Sequence, residues 1–271
     1  MDHRNKLAQL KESIASYGSL AVAFSGGVDS TFLLAVAHEV LGDKAVAVTC
    51  RNAFVPAWEF TEAADFCRDR GVRHIVVDID PLADDRCVTN PPDRCYWCKR
   101  LIFGALIEAS RAQGITHIAD GSNTDDLGDY RPGLLALDEL NVLSPLRAAG
   151  LSKGEIRALS QEMGLPTWSK PSYACLASRI AYGEEITVEK LRMVEQAEDF
   201  LTGLGFTGLR VRVHGPLARI EVPQDQIAGI AADAVRADIV HRFKDLGFLY
   251  VTLDLAGYRT GSMNAGLTRQ P

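Results

Sequence analysis

The sequence predicts an α/β fold on a parallel sheet, followed by a smaller α+β unit, and three observations carry that prediction. Short apolar runs alternate with segments of 3.6-residue apolar rhythm through the first 120 residues. Glycines close the rhythmic segments at Gly42, Gly71 and Gly114. After Pro166 the alternation stops and a different pattern begins.

An opening helix over Asp2–Tyr17 carries Leu7, Leu10 and Ile14 on one face. The runs Leu20–Phe24, Ala45–Thr49, Arg73–Ile79 and Ile115–Ala119 are apolar without alternation, as strands buried on both faces are. The segments Thr31–Leu41, Ala57–Arg70 and Arg94–Gln113 between them are helical, so the β-α-β-α-β-α-β order implies right-handed crossovers with helices on both sheet faces. Ser152 with Glu155 forms a capping box that starts a helix ending near Gly164. Residues 167–186 lack periodicity and read as a long loop, a length usually functional or disordered. Beyond it come a helix at Thr187–Gly203, strands at Leu209–His214 and Ala218–Val222, a broken helical segment at Pro223–Asp245 and a strand at Phe248–Asp254. The residues after Gly257 show no clear structure.

Composition narrows the function classes. The 271 residues are 47% apolar and 24% charged, and 29 basic against 35 acidic residues give a net charge of −6. That excludes collagen-like, coiled-coil and disordered chains, and the acidic balance disfavours a dedicated nucleic-acid binder. No apolar run approaches the ~18 residues of a membrane span, and the charged amino terminus does not read as a signal peptide. The six cysteines are too few and too irregular for a disulfide scaffold, which leaves core residues, metal ligands or reactive groups in a reducing compartment. The chain reads as a cytoplasmic enzyme.

Ser25-Gly26-Gly27-Val28-Asp29-Ser30 lies directly after the first strand and opens a helix. In an open parallel sheet, ligands sit beyond the carboxyl ends of the strands. Adjacent glycines let backbone N–H groups curl around an anion, the helix N-terminus adds partial positive charge, and Ser25 and Ser30 add hydroxyls. This loop matches neither GxxxxGK[ST], with its P-loop lysine, nor the dinucleotide GxGxxG. The string Asp120-Gly121-Ser122-Asn123-Thr124-Asp125-Asp126 leaves the fourth strand at the same sheet edge, where carboxylates such as Asp125 and Asp126 suit Mg²⁺ on a leaving pyrophosphate. The cluster Asp129-Tyr130-Arg131-Pro132-Gly133 follows.

Cys95 and Cys98 stand at i and i+3 at the start of a predicted helix, where two thiols share a face and the helix end lowers their pKa. A structural zinc needs four ligands, and no second CxxC exists. Cys175 supplies a third sulfur, and three thiolates leave an open position on an iron–sulfur cluster. Cys67 falls on a helix face as a core residue. Cys50 and Cys87 have no partners at informative spacing, and Cys87 lies in the loop before the CxxC, where exposure is open to it. Arg210 and Arg212 are two apart on one strand and project outward from the same face, a pair suited to a phosphate together with Arg179. Trp97 could pack on a substrate ring, and Glu198 could bind metal beside the substrate phosphate.

The Ser-Gly-Gly-x-Asp-Ser loop after a first strand resembles the PP-loop ATP pyrophosphatase superfamily, whose adenine nucleotide alpha-hydrolase-like fold splits ATP between its α- and β-phosphates. With Asn-Pro-Pro-Asp-Arg-Cys-Tyr-Trp-Cys-Lys at 90–99, Asp-Gly-Ser-Asn at 120–123, Cys-Leu-Ala-Ser-Arg at 175–179 and Arg-Val-Arg-Val-His-Gly at 210–215, the chain resembles the LarE sulfurtransferase family from about residue 5 to 255. Ala181 departs from it, standing where the family string has proline.

The resemblance implies sulfur insertion into a pyridinium-3,5-biscarboxylic acid mononucleotide, in making the nickel-pincer nucleotide of lactate racemase. It implies a PP-loop ATP-binding domain over 1–166, a linker loop with Cys175 over 167–186 and a substrate-binding, oligomerisation domain over 187–271. ATP would lie on Ser25, Gly26, Gly27, Asp29, Ser30, Thr49, Asp120 and Asn123, and the mononucleotide on Trp97, Ser178, Arg179, Arg210 and Arg212. Mg²⁺ would take Asp125, Asp126 and Glu198. It further implies a 4Fe–4S cluster on Cys95, Cys98 and Cys175, or else Cys175 giving up its own sulfur; a sulfide or cysteine-derived donor; and a homo-oligomer. A PP-loop tRNA thiolase, an ammonia-using synthetase of the NAD or GMP synthetase type and a non-catalytic nucleotide sensor are the competing readings.

Overall fold

A computed structural model of the chain describes residues 2–128, 132–171, 174–259 and 261–262. Its elements, in chain order, are α1 (His3–Ser16), β1 (Leu20–Ala23), α2 (Val28–Leu41), β2 (Ala45–Arg51), α3 (Ala57–Asp69), β3 (Arg73–Asp78), α4 (Asp85–Val88), α5 (Arg94–Ala112), β4 (Ile118–Ala119), α6 (Pro132–Glu139), α7 (Pro145–Ala148), α8 (Lys153–Glu162), α9 (Val188–Gly203), β5 (Arg210–His214), β6 (Leu217–Glu221), α10 (Ile227–Ala231), α11 (Asp233–Asp245) and β7 (Tyr250–Leu253). Among the described residues, no helix is long and apolar enough to cross a membrane. Contacts divide them into two units, one from Met1–Pro81 with Cys95–Tyr173 and one from Leu82–Arg94 with Ala174–Pro271.

The first unit carries a four-stranded parallel sheet in the order β3-β2-β1-β4. Successive strands step away from β1 on one side and return to its other side at β4, so β1 is the switch point at which open α/β sheets bind ligands. Alternation along β1 builds two cores. Leu20 and Val22 join Leu10 and Ile14 of α1, Phe32 and Leu33 of α2 and Ile156 of α8, while Ala21 joins Val46 and Val48 of β2 with Phe103 and Leu106 of α5. The Ser152–Glu155 capping box forms as the sequence predicts.

Two strand expectations need correction. β3 is not buried on both faces; it is a sheet edge and exposes Val76 together with Arg73 and Asp78, charges of the kind with which edges avoid further pairing. β4 pairs over Ile118–Ala119 alone, because Ile115 follows the positive-φ Gly114 and turns inward from a loop.

The second unit has a sheet in the order β5-β6-β7, with β5–β6 antiparallel and β6–β7 parallel. α9 packs on β5, and Val211, Val213, Ala218 and Ile220 are buried. The opposite face carries Arg210, Arg212, Arg219 and Glu221 in register. Residues 82–94 group with this unit rather than with the sheet that precedes them. The predicted loop contains one short 3-10 turn, Leu176–Arg179.

Candidate active site

In the first unit the site begins at the turn after β1. Gly26 has φ +70°, and a Cβ there would meet the Ala63 Cβ at 3.3 Å, so both conformation and space require glycine. Gly27 caps α2, which starts at Val28, one turn earlier than periodicity suggests. The Ser25 and Ser30 hydroxyls lie 3.1 Å apart. Gly121 brings the end of β4 against this turn, since a Cβ would lie 3.0 Å from the Ser30 nitrogen and 3.2 Å from the Asp29 Cβ. Asp29 receives the Lys153 ammonium and a 3.3 Å hydrogen bond from Asn123. The Lys170 ammonium sits 3.1 Å from the Gly26 carbonyl and 2.7 Å from Glu62, over the Trp58 ring at 5.1 Å. Two cations that sequence reasoning missed therefore flank a loop that has no P-loop lysine. Lys153 reaches Asp29 across 124 residues, so no local pattern marks it.

The other predicted nucleotide residues have identifiable local roles. Thr49 is buried and donates to the Phe24 carbonyl at 2.8 Å, so it accepts from His74 Nε2 at 2.7 Å; burial holds that imidazole below its ordinary pKa. Asp120 is buried and accepts from the hydroxyls of Ser122 and of Ser144, the latter at 2.7 Å. Asp125 accepts from the Lys153 N–H at 3.1 Å and Asp126 from the Asn123 N–H at 2.9 Å. Asp129, Tyr130 and Arg131, like Ser172 and Tyr173, lie outside the described residues.

In the second unit a buried frame surrounds the segment that follows Cys175. Arg179 is 1% exposed; its Nε and Nη2 each donate to Glu198 at 2.9 Å, while Nη1 donates to the carbonyls of Ala174 and, at 3.2 Å, Cys175. Glu198, expected beside a metal, is instead taken up by this bidentate pair and by the Val211 N–H at 2.9 Å. From the other side Arg94 donates to the Ala177 carbonyl at 2.8 Å, and Asn90, at φ +51°, donates to Ile180 and Ala181 at 3.1 and 2.8 Å. The string at 90–94 thus clamps the segment that carries Cys175, a link that the sequence does not announce.

Arg210 and Arg212 share a face as expected, but they do not project outward; they are 6% and 5% exposed. Arg212 donates to the Ser178 carbonyl at 2.8 Å and pairs with the fully buried Glu221 at 3.0 Å. Burial, and then the nearby Arg179 charge, lower the pKa of Arg210. Tyr258 stands 5.2 Å from the Arg210 guanidinium and Ser262 accepts from Arg212 at 3.0 Å, so partners distant in sequence help to enclose the pair.

Cys95 is exposed and Cys98 half-buried on the first turn of α5, and Cys175 is exposed in the other unit. Among the described residues no three His, Cys, Asp or Glu are gathered as a metal site. Trp97 is half-buried and meets Tyr96 edge-on at 4.8 Å. Cys67 is core, with its thiol pushed up to about 12 by burial. Cys87 is fully buried on α4 rather than exposed in a loop.

No family model matches the chain. It is 43% identical over 265 residues to an uncharacterised protein of Synechocystis, covering 98% of this chain and 99% of that one. It is 38% identical over 266 residues to the pyridinium-3,5-bisthiocarboxylic acid mononucleotide synthase of Lactiplantibacillus plantarum, covering 97% and 95%. It is 27% identical over 219 residues to one component of the glutamine-hydrolyzing GMP synthase of Thermoplasma volcanium, covering 74% and 69%. With the phosphate loop at the switch point of a parallel sheet and a full-length match to the mononucleotide synthase, the chain belongs to the LarE sulfurtransferase family of the PP-loop superfamily.

Proposed function

We propose that the protein uses ATP to adenylate a carboxylate of the pyridinium-3,5-biscarboxylic acid mononucleotide and then replaces AMP by sulfur, a step of nickel-pincer nucleotide synthesis. The observation that carries this reading is the Gly26–Gly27 turn at the carboxyl end of β1, flanked by Lys153 and Lys170. A carboxylate is a poor electrophile, so the acid oxygen attacks the ATP α-phosphorus and pyrophosphate leaves. The backbone N–H groups of the turn, the Ser25 and Ser30 hydroxyls and the two ammonium groups stabilise the departing charge. Asp125 and Asp126 offer carboxylate oxygens of the kind that Mg²⁺ takes with phosphates, and Asn123 and Lys153, which donate to them, also donate to Asp29.

The second step needs a sulfur nucleophile at the acyl carbon, from which AMP leaves with the electrons of the C–O bond. Cys95, Cys98 and Cys175 are free cysteines whose three thiolates would hold a 4Fe–4S cluster with one open iron, and such a cluster would supply hydrosulfide for this step. Arg94, Asn90 and Arg179 hold the segment of Cys175 in either version of the chemistry. In the other version the Cys175 thiolate displaces AMP, a base removes its α-proton, and its Cβ–S bond breaks to leave dehydroalanine and the thiocarboxylate. Arg210 and Arg212 would receive the nucleotide phosphate, and Trp97 would lie on the ring.

Anaerobic purification with iron and acid-labile sulfide analysis, followed by ATP and the biscarboxylated mononucleotide, tests the reading. Iron, sulfide and repeated thiocarboxylate formation are expected. A colourless protein that turns over once and loses mass at Cys175 assigns the sulfur to the side chain, and absence of any thiocarboxylate overturns the proposal.

A further inference from the structure

We infer that residues 257–259 with 261–262 act as a strap that sets the Arg210 and Arg212 guanidinium groups for the phosphate of the nucleotide substrate, with Tyr258 and Ser262 as its positioning residues. The inference rests on the proposed binding of that phosphate by the two arginines.

The start of the strap is fixed at the end of β6. The Asp254 N–H donates to the Ile220 carbonyl and the Tyr258 N–H to the Val222 carbonyl, both at 2.8 Å. Between them Gly257 turns at φ +70°, and a Cβ there would lie 2.8 Å from the Val222 oxygen, a backbone atom that cannot step aside. Only glycine lets the chain press this closely on the strand end.

From that anchor the strap touches both arginines. The Arg210 guanidinium carbon stands 5.2 Å from the centre of the Tyr258 ring. A ring against one face of a guanidinium holds its plane and leaves the in-plane N–H donors to oxygen atoms. The Ser262 hydroxyl accepts from Arg212 Nη2 at 3.0 Å and donates to Glu221 at 3.2 Å. Glu221 in turn takes Arg212 Nε at 3.2 Å and Arg219 Nη2 at 2.9 Å. A long side chain with many rotamers is thereby reduced to one, which removes an ordering cost from binding.

Charge on this face favours an anion. Among the described residues, the guanidinium groups of Arg179, Arg210, Arg212 and Arg219 meet the carboxylates of Glu198, Glu221 and Asp254, so four positive charges face three negative ones. The negative charge of a phosphate suits that excess, which an uncharged ligand would not.

Steady-state kinetics of the full chain test the strap, using the mononucleotide, its dephosphorylated nucleoside and ATP. Tyr258→Ala and Ser262→Ala each raise KM for the mononucleotide about five- to tenfold, and spare KM for ATP and for the nucleoside. Tyr258→Phe, which keeps the ring, restores most of the affinity. Gly257→Ala removes no contacting side chain yet displaces the strap, and it follows Tyr258→Ala. Arg212→Ala is the reference. If it loses affinity and the strap variants stay within twofold of wild type, the strap is refuted and the arginine site stands. If Arg212→Ala also keeps its KM, the phosphate binds elsewhere and both ideas fall. Equal losses toward ATP, or tighter mononucleotide binding in the strap variants, also overturn the inference.

Discussion

Arg94 donates through one nitrogen, Nη1, to the carbonyl of Ala177 and to Asn90 Oδ1, each at 2.8 Å, and it is buried there. It is the residue before Cys95, and Ala177 is two residues after Cys175. One guanidinium thus ties the segment next to the CxxC to the segment of the third cysteine.

Replacing Arg94 by Ala takes a buried donor from Asn90 Oδ1 and from the Ala177 carbonyl, which keeps the 3.3 Å bond from the Ile180 N–H. A buried acceptor left without its partner costs about 1–3 kcal/mol. Chemical denaturation of Arg94→Ala is expected to show a loss in that range or somewhat above it, and thiocarboxylate formation falls at least tenfold while ATP still binds. Unchanged sulfur transfer in a folded Arg94→Ala protein contradicts a positioning role.

At the phosphate turn, Gly26→Ala introduces both a disfavoured backbone conformation and a 3.3 Å contact with Ala63. The conformational term alone is about 1 kcal/mol, so calorimetry is expected to show at least fivefold weaker ATP binding. Affinity equal to wild type would mean that the turn does not hold the nucleotide.

Lys153→Met removes the ammonium beside Asp29. Because it faces the anionic end of the proposed nucleotide site, ATP and pyrophosphate are expected to lose about tenfold in affinity and AMP much less. Parallel titrations with the three ligands check this. An equal loss for AMP would assign Lys153 to folding alone.

Glu155 accepts from Lys6 at 2.8 Å and from the Ser152 N–H at 2.9 Å, and these partners, Lys6 first, bring its carboxyl down to about 2. A depressed folded pKa contributes stability above the unfolded value of about 4.3, and that contribution is lost as pH falls toward 2. Glu155→Gln is therefore less stable than wild type at pH 7, and the gap in urea midpoint narrows below about pH 4. A gap that is constant with pH would remove the ionised pair from the account.

The sequence was most legible where the signal is local. The β1 turn, the capping box and the alternation of Val211 and Val213 with Arg210 and Arg212 are written in neighbouring residues, and the structure has them. It was least legible where distant segments meet. Lys153 on Asp29, Asn90 on Ile180 and Ser262 on Arg212 depend on tertiary placement that no periodicity encodes. The arginines illustrate the limit: the spacing gives their shared face, but their burial comes with partners distant in sequence, among them Ser178, Tyr258 and Ser262. β3 fails for a related reason, since apolar content does not say which strand ends at the sheet edge.

Release of pyrophosphate from ATP, measured with and without the biscarboxylated mononucleotide, tests the central claim most directly. Release that depends on the acid and matches AMP in amount is the predicted result. A protein that binds ATP and liberates no pyrophosphate with that acid present would contradict the account.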